Sequence, residues 1–82
     1  MKVSDKKIEN EILEMLLRRG EGKTICPSEV ARKLYSDTWR EEMEHVRQIA
    51  RKLVKEEKIV ITQAGQEVDP DSFKGAIRLR LK

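Results

Sequence analysis

With 82 residues, the chain can form one domain with a modest core, and we treat residues 1–82 as that domain. Its single cysteine excludes an internal disulfide, and no apolar run reaches the roughly 20 residues of a membrane span or resembles a signal peptide, which predicts a cytoplasmic protein without a membrane partner. The 18 Lys and Arg residues exceed the 15 Asp and Glu residues by only three, so net charge alone does not predict nucleic-acid binding.

The first predicted element is a helix over about residues 5–19, which ends at Gly20. Its apolar surface is unusually wide. One face holds Ile8, Ile12, Met15 and Leu16. Because successive residues are rotated by about 100° about the helix axis, Leu13 and Leu17 lie on a different side of the helix. We favour a helix wedged between neighbouring elements; the alternative is a homodimer or protein-partner contact through Leu13 and Leu17.

A short β-prone segment at residues 23–25 follows, in a position to pair with later strands. The second helix is predicted over about residues 28–35. Pro27 suits a first helical position after Cys26, which would begin this helix one residue earlier. The helix is short, as expected for one that supports its neighbour.

The third helix is predicted over about residues 38–57, directly after the segment Ser36-Asp37-Thr38. Thr38 and Glu41 have the spacing of a capping box, which predicts that the helix starts at Thr38. Apolar residues then repeat at intervals of three and four. They are Trp39, Met43, Val46, Ala50, Leu53 and Val54. We expect Trp39 to anchor the core.

A β-ribbon is predicted over about residues 59–82. Residues 59–63 are rich in β-branched side chains, and residues 77–81 alternate strictly between apolar side chains and arginine. Between them, residues 66–68 can pair back, and Asp69 can cap a single helical turn. The order of elements predicts an α+β fold, a winged helix-turn-helix of three helices with a small antiparallel β-ribbon as the wing.

Charged and polar side chains follow the third helix beside its apolar stripe. At steps of three or four they are Arg40, Glu44, Arg47, Arg51, Lys55 and Lys58, with Gln48 and Lys52 flanking. A helix fits the major groove of duplex DNA, where Arg can bind guanine and Gln can bind adenine. The predicted DNA contacts on this helix are Arg40, Arg47, Gln48, Arg51 and Lys55. The alternative is a solvated face whose cations pair with acids such as Glu44 and Glu56.

The acids within residues 41–44 lie close to the start of this helix and would repel phosphate. We therefore favour Arg47 and Arg51 over Arg40 as DNA contacts. Gln48 is the best candidate for reading a base.

The ribbon supplies a second set of cations, because every charged residue from Lys74 onward is basic. Lys74, Arg78 and Arg80 are predicted to bind backbone phosphates, and Lys82 lies beside them. Four such contacts would give log affinity a slope of about −3.6 against log salt. The alternative is that these charges protect an edge strand from association. For the DNA hypothesis, the cations of helix and ribbon must converge on one open side. Because only three aromatic residues are present, duplex is favoured over single strands.

Catalysis has little support in the sequence. Cys26 and His45 could act as nucleophile and base, but no acid close in sequence can orient His45. One Cys and one His fall short of the four ligands of a structural zinc site, and the chain has no Walker loop or dinucleotide fingerprint. We expect a non-enzymatic protein without a metal or cofactor.

Several segments carry a resemblance to a known family. They are Thr24–Arg32, Trp39, Val46–Arg47, Thr62–Gly65, Val68–Pro70 and Gly75–Arg78. Over roughly Ile12 to Leu81, their order and spacing resemble an uncharacterised bacterial family of short winged-helix proteins. The resemblance implies a winged-helix fold for the whole chain and assigns no activity or binding residues. Ala76 stands where we expect proline in that family, which concerns the ribbon rather than the fold.

We interpret the chain as a non-enzymatic module that binds double-stranded DNA through its third helix and basic ribbon, with transcriptional regulation as the expected role. The main alternative is a winged helix used for protein–protein interaction or assembly without DNA. A fold does not fix a function, and the excess of positive charge is small.

Overall fold

The computed structural model describes residues 3–82 and has an α+β fold, as predicted; residues 1 and 2 of the predicted domain lie outside the described residues. The α-helices are α1 (Asp5–Arg19), α2 (Pro27–Tyr35) and α3 (Met43–Lys55). The strands are β1 (Thr24–Ile25), β2 (Ile59–Gln63), β3 (Gln66–Glu67) and β4 (Arg78–Leu81). A short 3-10 helix, Ser36–Thr38, follows α2.

The four strands form one antiparallel sheet in the order β1-β4-β2-β3. Strand β4 is central, since Leu79 is the partner of Ile25 on one side and of Ile61 on the other. The predicted pairing of the segment before α2 with the ribbon is confirmed, and so is the pairing of residues 66–68 back onto β2. The Val68 N–H continues that second pairing by donating to the Ile61 carbonyl at 2.9 Å.

The core lies between the three helices and one face of the sheet. The fully buried residues on these elements include Ile8, Ile12 and Leu16 of α1, Val46, Ala50 and Leu53 of α3, and Ile25, Ile59 and Leu79 of the sheet. Only one side of α1 is completely buried. Leu13 packs partly against the core, whereas Leu17 is 69% exposed, so the wide apolar surface of this helix is only partly covered.

Helix α2 begins at Pro27, one residue before the predicted range, with Cys26 as its N-cap residue. Proline suits this position because its missing N–H would have no partner in the first turn of a helix. The Glu29 carboxylate accepts the Cys26 backbone N–H at 2.7 Å, which ties the first turn to the strand before it.

The predicted start of the third helix at Thr38 is wrong, because α3 begins at Met43. The Thr38 hydroxyl donates to the Tyr35 carbonyl instead of capping a helix, and residues 39–42 form turns. The connection between α2 and α3 therefore spans residues 36–42 rather than three residues. Arg40 consequently lies before α3, and Lys58 lies after it, so neither belongs to the predicted helical stripe.

Helix α3 ends two residues earlier than predicted, at Lys55. Glu57 has a positive φ of 61°, and the Glu57 and Lys58 N–H groups donate back to the carbonyls of Val54 and Leu53. This pattern is a Schellman cap, which satisfies carbonyl groups that the helix leaves open. It turns the chain directly into β2.

Asp69 caps a single turn as predicted, but this turn is a β-turn over residues 69–72 rather than a helical one. The Asp69 carboxylate accepts the Asp71 N–H at 2.8 Å, and the Ser72 N–H donates to the Asp69 carbonyl, which makes a turn stabilised by the aspartate side chain. Phe73 is partly buried and packs against the core. We call residues 69–73 the wing loop; it approaches α3 rather than extending away from it.

Candidate nucleic-acid interface

The outer face of α3 carries two of the predicted arginines, and both contact one acid. Glu44 pairs with Arg51 at 2.9 Å and with Arg47 at 3.8 Å. The side chains of Arg47 and Arg51 are only 32% and 27% exposed. For these two residues, the predicted alternative of pairing with Glu44 is confirmed.

Arg51 is further held by the wing loop. Its Nε donates to the Pro70 carbonyl at 3.1 Å, and its guanidinium lies 5.2 Å from the centroid of the Phe73 ring. Lys55, one turn later, pairs with Asp71 at 3.6 Å. The wing loop therefore satisfies or neutralises two of the predicted DNA contacts and braces itself against α3.

Gln48 is exposed on the same outer face. It lines an open surface groove with Arg51, Lys52, Lys55 and Glu56. No hydrogen bond joins the Gln48 side chain to another residue of the described chain, so its amide is available to form hydrogen bonds with a ligand.

Trp39 lies in the turn before α3, and its ring contacts two arginines. The guanidinium carbon of Arg32, from the last turns of α2, is 4.3 Å from the ring centroid, and that of Arg40 is 4.6 Å away. The ring also packs against the core and is half-buried, so the expectation that Trp39 anchors the core is only part of its role. Sequence reasoning missed Arg32, because only the fold brings it to this ring.

Arg78 and Arg80 lie on a different surface. Leu79 between them is fully buried against the helices, so alternation places both arginines on the sheet face turned away from the helices. Arg78 donates from Nε to the Thr24 hydroxyl at 2.7 Å and approaches the Cys26 sulfur at 3.7 Å. The edge-strand explanation is wrong for these charges, because β4 is paired on both sides.

Lys74 is exposed in the connection between the wing loop and β4. Its backbone carbonyl accepts a hydrogen bond from the Gln63 amide at 2.5 Å, which fixes the chain while leaving the ammonium group at the surface. The eight predicted DNA contacts are thus divided between the outer face of α3, the turn before it, the residue after the wing loop and the outer face of the sheet. They do not form one continuous surface.

Glu9 is a buried acid that sequence reasoning missed. Its side chain is 6% exposed and pairs with Lys52 at 3.4 Å and Lys58 at 3.5 Å. Burial alone would raise the pKa of Glu9, but the hydrogen bond from Lys52 and the surrounding lysine charges outweigh burial and lower this pKa below its ordinary value. The ammonium groups of Lys52 and Lys58 are therefore held at Glu9 of α1, although Lys52 also lines the groove beside Gln48.

Glu29 makes a similar contribution at the start of α2. Burial would raise its pKa, but the Cys26 N–H and the Arg19 guanidinium, 2.6 Å away, lower the pKa by stabilising the carboxylate. The network fixes the junction between α1, β1 and α2. It supports the position of α2 and does not itself face a ligand.

Cys26 and His45 have different neighbours. The expectation that no acid close in sequence can orient His45 is wrong, because its Nδ1 lies 3.8 Å from a Glu42 carboxylate oxygen. Its Nε2 also lies 2.7 Å from an Asp5 carboxylate oxygen, and this acid of α1, forty positions away, could not be found from local sequence. Cys26 instead contacts Arg78. Within residues 3–82, no group of three or more His, Cys, Asp or Glu side chains is arranged to hold a metal ion.

Residues 5–82 match the family described as "Protein of unknown function (DUF3253)", and the chain belongs to that family. No curated protein shows a significant match to the sequence. In the described part of the chain, no helix has the length and apolar character needed to cross a bilayer.

Proposed function

We propose that the chain is a winged-helix module that binds duplex DNA without catalysing a reaction, and that it acts in the cytoplasm of a bacterium as a regulator of transcription. The order α1-β1-α2-α3-β2-β4, with β4 between β1 and β2, is the arrangement expected of a winged helix and supports this proposal. The fold alone would be a weak argument, because winged helices also serve other functions.

The observation that carries the proposal is that α3 has one side buried in the core and the opposite side exposed. Val46, Ala50 and Leu53 are completely buried on one side, while Gln48 is exposed on the other with an unpaired amide. A helix braced in this way can enter the major groove, where a glutamine side chain can bind adenine through two hydrogen bonds. We assign base contact to Gln48.

Phosphate contacts are assigned by the position of each cation and by how closely its partners hold it. Arg40 lies at the N-terminal side of α3, and Arg47 lies on its first turns, 3.8 Å from Glu44, so both are placed to contact the backbone beside the groove. Lys74, which directly follows the wing loop, is placed to contact an adjacent phosphate. Arg51 is assigned to the internal support of the wing loop, because it already binds Glu44 and the Pro70 carbonyl.

This distribution predicts modest affinity. Glu44 stands beside Arg47 and Arg51 and would repel phosphate, and the chain carries a net charge of only +3. Non-specific DNA binding typically has a dissociation constant of about 10⁻⁴ to 10⁻⁶ M at physiological salt. We expect values in this range for mixed sequence and tighter binding at low salt.

The proposal is tested by titrating the protein into a partly randomised pool of labelled duplexes at low salt and sequencing the bound fraction. The wild-type chain should enrich particular bases, and Gln48→Ala should weaken the preference at one position while leaving the pool bound. Gln66→Ala, which changes an exposed glutamine on β3, is the matched control. Absence of duplex binding at micromolar protein would refute the proposal.

A second candidate function is assembly, and the exposure of Leu17 favours it. Leu17 is a large apolar side chain, 69% exposed, and Leu13 lies one turn away on the same helix. A homodimer through α1 would cover both. Sedimentation equilibrium should then show a dimer that Leu17→Ser converts to a monomer; a monomer at all concentrations would remove this candidate.

A further inference from the structure

We propose that Arg32, Trp39 and Arg40 form a clamp for the phosphodiester backbone of the duplex, at the turn that leads into α3. The inference rests on the proposed function, and deepens it by assigning a phosphate site to a cluster that includes Arg32. The ligand chemistry is a phosphodiester anion with oxygens accessible to two guanidinium groups.

The Trp39 ring provides a fixed support for the two arginines. It packs against the core on one part of its surface. The Trp39 backbone is also held, because its carbonyl accepts the Glu42 N–H at 3.2 Å in the turn. The position of the ring is therefore set by the fold, whereas an exposed side chain on a loop would be free to move.

Both guanidinium groups lie against this ring. Their central carbons are 4.3 and 4.6 Å from the same centroid, so they are no more than about 9 Å apart. One comes from α2 and the other from the turn before α3. The ring brings together two cations from separate elements, and both side chains are exposed to solvent.

The arginines of the clamp differ from most of the others in their electrostatic partners. Arg18, Arg19, Arg47 and Arg51 each lie within 4.0 Å of a carboxylate oxygen. Within residues 3–82, neither Arg32 nor Arg40 forms such an ion pair. Two cations are thus held against one ring without a neutralising acid, so a phosphate that binds either of them has no carboxylate to displace.

The chemistry of guanidinium favours phosphate as that anion. A guanidinium stacked on an aromatic ring keeps its N–H donors in its own plane, where they remain available to a ligand. Planar donors match the geometry of phosphate oxygens and can bind two of them at once. Because stacking restricts both side chains before a ligand arrives, less conformational freedom is lost on binding.

The location of the clamp fits the backbone better than the bases. Trp39 and Arg40 lie on the connection before α3, while Gln48 lies in the second turn of α3 itself. If α3 occupies the major groove, the residues that precede it meet the strand that borders the groove. The clamp would therefore position α3 and contribute equally to all DNA sequences.

The clamp is tested by the salt dependence of duplex binding, measured by the anisotropy of a labelled mixed-sequence duplex. Log affinity falls linearly with log salt concentration, and each phosphate contact contributes about 0.9 to the slope. The double variant Arg32→Ala with Arg40→Ala should therefore make the slope shallower by about 1.8. Lys7→Ala with Lys23→Ala is the charge-matched control, because both lysines are exposed and neither is ion-paired within residues 3–82. This control should leave the slope nearly unchanged.

A conservative pair of variants separates geometry from charge. Arg32→Lys with Arg40→Lys keeps both charges but removes the planar donors, so we expect a nearly unchanged slope with affinity lowered several-fold. Because Trp39 is the single tryptophan, its fluorescence should also change when duplex binds the wild-type chain and change less in the double alanine variant.

If the wild-type chain binds duplex but the double alanine variant has the wild-type slope, the clamp is refuted and the proposed function survives. An equal fall in the slope of the lysine control would show that only net charge matters, which also refutes the clamp. If the wild-type chain binds no duplex, both proposals fail together.

Discussion

The turn before α3 and the outer face of α3 both present arginines, but only those on the outer face of α3 are paired with a carboxylate. Arg32 and Arg40 stack on Trp39 and have no acid partner in the described chain, whereas Arg47 and Arg51 share Glu44. The comparison shows that a count of cations along a helix overstates the charge that a ligand would meet. Whether a cation is available to a ligand is decided by the residues that surround it in the fold.

The largest expected difference is between Arg40→Ala and Arg51→Ala. Arg40→Ala should weaken duplex binding about tenfold, which is about 1.4 kcal/mol, because it removes an unpaired cation. Arg51→Ala should change affinity by about twofold or less. It should instead lower the free energy of unfolding by about 1–2 kcal/mol, since it removes the bond to the Pro70 carbonyl and the contact with Phe73.

Binding isotherms and urea unfolding of both variants check this difference. The urea experiment is the control for folding, since a binding defect in an unfolded protein would have no meaning. If Arg51→Ala lowered duplex affinity strongly and Arg40→Ala did not change it, our assignment of the two regions would be reversed.

The second prediction removes the acid that neutralises α3. Glu44→Gln should release Arg47, while Arg51 stays bound to the wing loop, and should raise duplex affinity by up to about fivefold, because exposed ion pairs are worth at most about 1 kcal/mol. Glu14→Gln is the matched control, since it breaks the pair with Arg18 on α1. If both variants raise affinity equally, only net charge is involved.

The third prediction changes the stability of the turn without changing its charges. The Tyr35 hydroxyl is buried and has no hydrogen-bond partner within the described residues, and burial together with the nearby acids Glu42 and Asp5 raises the pKa of Tyr35. Tyr35→Phe removes this unsatisfied group and should raise the free energy of unfolding by about 1 kcal/mol. Thermal unfolding measures the change, and duplex affinity should stay constant. A destabilised variant would show that the hydroxyl has a partner in solution.

The smallest expected effect is a loss of folding stability in acid, as the carboxylates of the internal ion pairs become protonated. The pKa values of Glu9 and Glu29 lie below the ordinary value of 4.5 in the folded state. Their contribution to stability is therefore complete above the unfolded pKa and is lost as pH falls through the folded pKa. Unfolding free energies measured from pH 5 to pH 2 should decline.

Glu29→Gln should reduce that decline, while Glu21→Gln, at an exposed position in the turn after α1, should leave it unchanged. A profile for Glu29→Gln identical to that of the wild-type chain would show that the network around Arg19 contributes nothing to acid sensitivity.

Much of the fold could be predicted because its signals are local and periodic. The strict alternation of residues 77–81 predicted the strand β4, with Leu79 in the core and the arginines outside, but not its central place in the sheet. Gly20, with a φ of 106°, ended α1 as predicted because glycine adopts this conformation without strain. The start of α3 was missed, since Thr38 and Glu41 match a capping box while the Thr38 hydroxyl bonds backwards to Tyr35.

The candidate site was harder to predict because it depends on contacts between elements. Pairing of Glu44 with Arg51 could be anticipated, since both lie on one side of α3 two turns apart. The contacts of Arg51 with Phe73, of Lys58 with Glu9 and of Arg32 with Trp39 arise only when separate segments pack together. No local pattern in the sequence encodes them.

The most direct test of the account is the affinity of the wild-type chain for a labelled mixed-sequence duplex as a function of salt. Four phosphate contacts, from Arg32, Arg40, Arg47 and Lys74, predict micromolar binding at low salt and a slope of about −3.6 for log affinity against log salt. No detectable binding at low salt, or an affinity independent of salt, would contradict the account.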